Sequence, residues 1–137
     1  MIYNKKQLLE YIIADSKNYR VRVTCFSDRL KNNFLSTPIS EQKHIWAYIK
    51  YIRYVEYYGT MKKNCKFYWF PYLYHLSRLR KESHITGFQI PSGTCGKSLT
   101  IWHWGPIIVN GNARLGENCT LYPGVLIGQK ALGGVML

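Results

Sequence analysis

Acidic residues are scarce in this chain of 137 residues: seven Asp and Glu stand against nineteen Lys and Arg, a net charge of +12. Only one acid, Glu117, follows residue 84. No run of eighteen apolar residues occurs, so no conventional membrane-spanning helix is expected. The first twenty residues contain lysines but no apolar stretch of signal-peptide length and no small-residue cleavage site, so a cytoplasmic location is expected. Cysteine is sparse and unpaired in pattern. Cys25, Cys65, Cys95 and Cys119 stand 40, 30 and 24 residues apart without a C-x-x-C pair. That argues against a zinc site or a small disulfide scaffold, so the thiols read as reduced and no metal is expected.

What is present is a core. Hydrophobic residues make up 47% and aromatics 15% of the chain, well above disordered compositions, so one packed domain, or a small domain with a helical extension, is expected. Sixteen of the nineteen bases and six of the seven acids precede residue 85, which places the positive excess in the N-terminal part. Such a balance suits anionic partners (nucleic acid, anionic lipid or a phosphate-bearing ligand) and equally an ordinary soluble surface with a basic bias. The bases are scattered and form no recognisable nucleic-acid motif, so no nucleic-acid partner is expected.

Residues 1–84 read as helical. Asn4 caps a helix carrying Leu8, Leu9, Ile12 and Ile13, and a break follows around Asp15 to Asn18. Residues 21–34 are ambiguous. Thr37 and Pro38 mark a second helix start, with Glu41 early in it as the helix dipole prefers. Ile45, Tyr48, Ile49, Ile52 and Val55 form its apolar stripe, Lys43, Lys50 and Arg53 lie off it, and Gly59 is the expected stop. The aromatic run Phe67-Tyr68-Trp69-Phe70-Pro71-Tyr72-Leu73-Tyr74 precedes Leu76 and Leu79, with Arg78, Arg80 and Lys81 at the basic end. Bulky aromatics with flanking bases fit an interfacial membrane patch. A helix packed in a subunit interface is the favoured reading, because Pro71 interrupts the amphipathic period, so at most peripheral membrane contact is expected. His44, His75 and His84 read as structural or exposed.

From residue 85 the texture changes: Gly and Asn become frequent, and aliphatics recur every six positions. Val109, Leu115, Leu121 and Ile127 are six apart, Ala113, Cys119 and Val125 follow four positions later, and stepping back from Ile101 gives Cys95 and Gln89. A period of six is neither helical nor a simple strand alternation. It fits a parallel β-helix of three-sided coils of about 18 residues, one aliphatic per hexad pointing inward. Between Ile101 and Val109 the step is eight, so two residues are inserted there and the corner carrying His103 bulges. A histidine on a loop pinned by a rigid scaffold suits a general base.

The block GFQIPSGTCGKSLTIWHWGPIIVNGNARLGENCTLYPGVLIG, residues 87–128, resembles the hexapeptide-repeat acyltransferases, namely the serine acetyltransferases and their relatives that acetylate capsular or exopolysaccharide precursors. The resemblance implies an α+β chain: a helical N-terminal region over 1–84, then a left-handed parallel β-helix over 85–137. It implies acetyl-CoA as cosubstrate, a small hydroxyl acceptor, a homotrimer, and His103 as the base that deprotonates that hydroxyl. Serine acetyltransferases carry acids where this chain has Trp102 and Phe88, which argues against gripping the ammonium of serine. Trp102 and Trp104 as aromatic walls favour a saccharide acceptor. Gly128, Lys130 and Gly133 fall where the family's CoA groove begins. The family continues for further coils and a second histidine, so this chain reads as shortened, either relying on trimer partners or inactive as it stands. A non-catalytic trimerisation module and a basic protein that binds membranes or nucleic acid are the competing functions.

Overall fold

The structure, a computed structural model, describes residues 1–19 and 41–128. It is α+β. Among the described residues three helices, α1 (Lys5–Ser16), α2 (Glu41–Met61) and α3 (Trp69–Thr86), precede five short strands: β1 (Phe88–Gln89), β2 (Thr100–Ile101), β3 (Ile107–Val109), β4 (Thr120–Leu121) and β5 (Leu126–Ile127).

Helix α1 starts where Asn4 accepts from the Gln7 N–H at 2.9 Å while the Gln7 side chain accepts from the Tyr3 N–H at 2.8 Å. This is a reciprocal cap that satisfies donors the helix itself leaves free. Of its four apolar candidates only Leu8 and Ile12 are buried; Leu9 and Ile13 are half exposed. The helix gives way after Ser16 to a 3-10 turn over Lys17–Tyr19, at the expected break. The proposed second start at Thr37 and Pro38 lies outside the described residues, as do residues 21–34. In α2 the whole stripe Ile45, Tyr48, Ile49, Ile52, Val55 is buried. Two expectations for α2 fail. Gly59 does not end it; the helix runs on to Met61, and Gly59 instead sits where a side chain would lie 3.6 Å from the Tyr72 ring. Arg53, expected off the packed stripe, is 1% exposed.

Pro71 does not interrupt α3. It is the third residue of that helix, where its missing N–H removes no intrahelical bond. The helix extends past residue 84 to Thr86 and ends at Gly87, whose φ of 80° is left-handed.

The strands pair only in parallel: β1–β3–β5 in one sheet, β2–β4 in another, with an isolated bridge Cys95–Leu115. Partner offsets carry the register. Ile108 pairs with Leu126 and Val109 with Ile127, eighteen residues on. Thr100 pairs with Thr120, Ile101 with Leu121 and Cys95 with Leu115, twenty residues on, and each of these spans the 101–109 stretch. Phe88 pairs with Ile107, nineteen on. Every step that runs across the loop after Ile101 is thus longer than the eighteen-residue step beyond it. Gln89 does not belong to the inward register. It is exposed, and its neighbours Phe88 and Ile90 point inward, because Ile90 precedes Cys95 by five residues rather than six.

Helices and strands share one apolar core in which Tyr19, Ile45, Tyr48, Ile49 and Ile52 pack on Phe88, Ile90, Leu99, Ile101, Ile107, Val109 and Leu121. The helical side also satisfies backbone groups of the 90–101 segment. The Tyr48 hydroxyl accepts from the Ile90 N–H at 3.0 Å and donates to the Ile90 carbonyl at 3.2 Å, and the Tyr19 hydroxyl accepts from the Ile101 N–H at 2.5 Å. Below them Arg53 forms a buried fork. Its Nε donates to Asp15 at 2.8 Å, and its terminal nitrogens donate to the carbonyls of Cys95 at 2.8 Å and Gly96 at 2.6 Å. Asp15 in turn accepts from the Leu99 N–H at 2.9 Å.

Removing one side of this pair strands a buried charge. Asp15→Asn or Arg53→Met is expected to cost about 3–5 kcal/mol, measured as a lower urea midpoint at unchanged slope. A second expectation concerns alkali. Burial pushes the Tyr48 phenol up to about 12 from 10.0. The unfolded chain therefore loses this proton first, and the stability it contributes, full below pH 10.0, falls as the pH rises towards 12. Tyr48→Phe should flatten that fall in alkaline unfolding curves.

Candidate functional site

The two inserted residues create a five-residue loop, 102–106, between β2 and β3. Its backbone is held on two sides. The Gly105 N–H donates to Thr86 at the end of α3 at 2.8 Å, and the Pro106 carbonyl accepts from the Gly124 N–H of the next turn of chain at 2.8 Å. Only glycine fits at position 105: φ is 143°, and a Cβ would lie 2.9 Å from that of Pro123. Gly87 complements it, since a Cβ there would meet the Gly105 carbonyl at 3.2 Å. The glycine that ends α3 therefore also lets the loop approach the helix.

Within this fixed loop His103 projects outward with 69% of its side chain exposed. Its Nδ1 lies 3.2 Å from one carboxylate oxygen of Glu41, and the other Glu41 oxygen accepts from the Trp104 N–H at 2.8 Å. One carboxylate at the first residue of α2 thus holds both the ring and the backbone of the loop. A carboxylate on Nδ1 favours the tautomer that leaves Nε2 free to accept a proton.

A second histidine–carboxylate pair lies beside the first. His44, one turn along α2 from Glu41, has its Nδ1 2.8 Å from Glu82 of α3, and its ring faces Trp104 at 6.1 Å between centroids. Trp104, in the loop, is half buried against the His44 ring, whereas Trp102 is exposed. The two tryptophans are therefore not equivalent walls: Trp104 is part of the packing that holds the loop, and Trp102 is free to meet a ligand.

The remaining sequence candidates are not brought to the loop by any described contact. Gly128 is exposed at the end of β5, with nothing within 4 Å of a side chain built there. Lys130 and Gly133 lie outside the described residues. An open surface depression elsewhere is lined by Arg80, Ser83, Gln89, Pro91 and Ile108 and does not include His103. Among the described residues no cluster of His, Cys, Asp or Glu suits a metal ion.

Compared with protein-family models, curated proteins and solved structures, the chain matches none.

Sequence reading missed Glu41, His44 and Glu82 as site residues. Glu41 is separated from His103 by 62 residues, so no local motif joins them. The available signal was scarcity: with six acids before residue 85, each carboxylate is a candidate partner for a specific base.

Gly105→Ala tests the rigidity of the loop. Left-handed strain and the Pro123 clash are expected to lower stability by about 1–3 kcal/mol, read in thermal unfolding, with larger spectral change at Trp104 than a distant substitution of equal cost produces.

Proposed function

We propose that the chain is an acetyl-CoA-dependent O-acetyltransferase of the hexapeptide-repeat type, its strands forming the coils of a left-handed parallel β-helix and His103 serving as general base. The observation that carries this reading is the Glu41–His103 pair on a bulge between parallel strands whose partners recur at 18–20 residues. That spacing is the coil length of a triangular solenoid. The acid that the resemblance places near the first hexad to orient the histidine is Phe88 here, and Glu41 supplies a carboxylate to His103 from the helical part instead.

In this mechanism Glu41 holds Nδ1, and Nε2 takes the proton of the acceptor hydroxyl as its oxygen attacks the thioester carbonyl. The carbon–sulfur bond then breaks, and CoA leaves as the thiol after taking a proton back from the imidazolium. A backbone N–H would steady the oxyanion. The acceptor is a hydroxyl of a saccharide rather than serine. Trp102 offers an exposed indole for a sugar face, and both described carboxylates near the loop are already committed, Glu41 to His103 and Trp104 and Glu82 to His44. Gly128, with open space above its Cα, suits close approach of the pantetheine arm; Lys130 and Gly133 remain candidates for the CoA phosphates. A homotrimer would add a neighbouring wall to a loop that is open in the single chain, and the cytoplasm supplies acetyl-CoA.

The openness of His103 also favours a second reading, a non-catalytic trimerisation module. Thiol release from acetyl-CoA in the presence of saccharide acceptors separates the two. His103→Ala is expected to reduce turnover by about 10²–10⁴-fold, and Glu41→Gln to reduce it less, mainly in kcat. Full turnover in His103→Ala would sink the mechanism, and no acetyl-CoA binding by the wild-type chain would favour the module.

A further inference from the structure

The start of α3 and the turn before it leave a row of large apolar side chains in solvent. Phe67 is 81% exposed, Phe70 78%, Tyr74 60% and Leu73 52%. Phe70, Leu73 and Tyr74 are three and four residues apart and so share one face of the helix. Pro71 lies in the first turn, so the amphipathic period continues unbroken past it. The opposite face is already used: the His75 ring stacks on Tyr54 at 4.4 Å and on Tyr58 at 5.3 Å, and the Tyr72 ring lies 3.6 Å from where a side chain at Gly59 of α2 would begin. The exposed row is therefore not a side effect of core packing. It continues along the same helix into Ser77, Arg80 and Lys81, and Lys63 and Lys66 flank it at the other end, all exposed. From Tyr57 to Lys81 there are six bases and no acid.

We propose that this face docks on an anionic lipid surface. Phe67, Phe70, Leu73 and Tyr74 enter the boundary between headgroups and acyl chains, while Lys63, Lys66, Arg80 and Lys81 meet lipid phosphates. Charge decides the occupant. A second copy presenting the same acid-free face would set like charges against each other, whereas an anionic bilayer complements both the bases and the apolar row. Leu73, in the middle of the row, has no flat face on which a nucleobase would stack. The contact is peripheral, since no described helix is long and apolar enough to cross a membrane. It is independent of the enzymatic reading.

The test is co-sedimentation of the full chain with phosphatidylcholine vesicles, with and without phosphatidylserine. Binding is expected to be about tenfold or more stronger with the anionic lipid and to weaken in high salt. The double substitution Phe67→Ser, Phe70→Ser removes two solvent-exposed side chains and should leave circular dichroism unchanged while weakening vesicle binding about tenfold or more. Equal binding to both vesicle types, or binding retained by the double variant, overturns the proposal. So does an outcome in which the double variant instead splits an oligomer into monomers, or loses binding to single-stranded RNA while the wild type ignores vesicles.

Discussion

The buried fork between Arg53 and Asp15 is the interaction on which the rest of the structure depends. It joins α1, α2 and the segment from Cys95 to Leu99, elements between 38 and 84 residues apart in the chain. A charged pair this deep is stable only if every remaining donor and acceptor is met. Here the guanidinium reaches two backbone carbonyls and the carboxylate accepts a backbone N–H. Its geometry leaves little freedom in how the helices sit on the strands. That placement in turn brings the first residue of α2, Glu41, to the loop that follows β2.

The helical part does for the first strands what a neighbouring strand would otherwise do. Tyr19 and Tyr48 present hydroxyls to backbone groups of Ile101 and Ile90 that lie outside the parallel ladders, and their rings complete the core above Phe88 and Leu99. Burial then declines along the strands, from fully buried Ile101 and Ile107, through Leu121, to partly exposed Ile127 and largely exposed Leu126. The described fold is thus anchored at its helical end.

The scarcity of acids gives the site its logic. Asp15 and Glu56 face Arg53, Glu82 faces His44, and Glu41 faces His103. Apart from exposed Glu10, the carboxylates in the described helices face cationic or imidazole groups, and the outer face of α3 carries bases beside its apolar row and no acid. The proposed base and the proposed lipid-facing surface follow from the same imbalance, seen from the inside and the outside of the molecule.

The sequence by itself determined the local features. Apolar spacing fixed the stripe from Ile45 to Val55, a capping pair fixed the start of α1, and the six-residue recurrence with its two-residue insertion located both the parallel pairing and the loop bearing His103. These are legible because each depends on neighbours within about one helical turn or one strand-to-strand step of 18–20 residues. Gly59 and Gln89 misled for a related reason: a glycine can serve close packing instead of a helix stop, and a hexad can lose a residue without losing its pairing. Only the tertiary structure decided that Arg53 is buried, that Trp104 packs while Trp102 is free, and that Glu41 holds His103. Those outcomes depend on contacts between residues 38 to 63 positions apart, set by how α2 lies across the strands, and no short-range pattern encodes that placement.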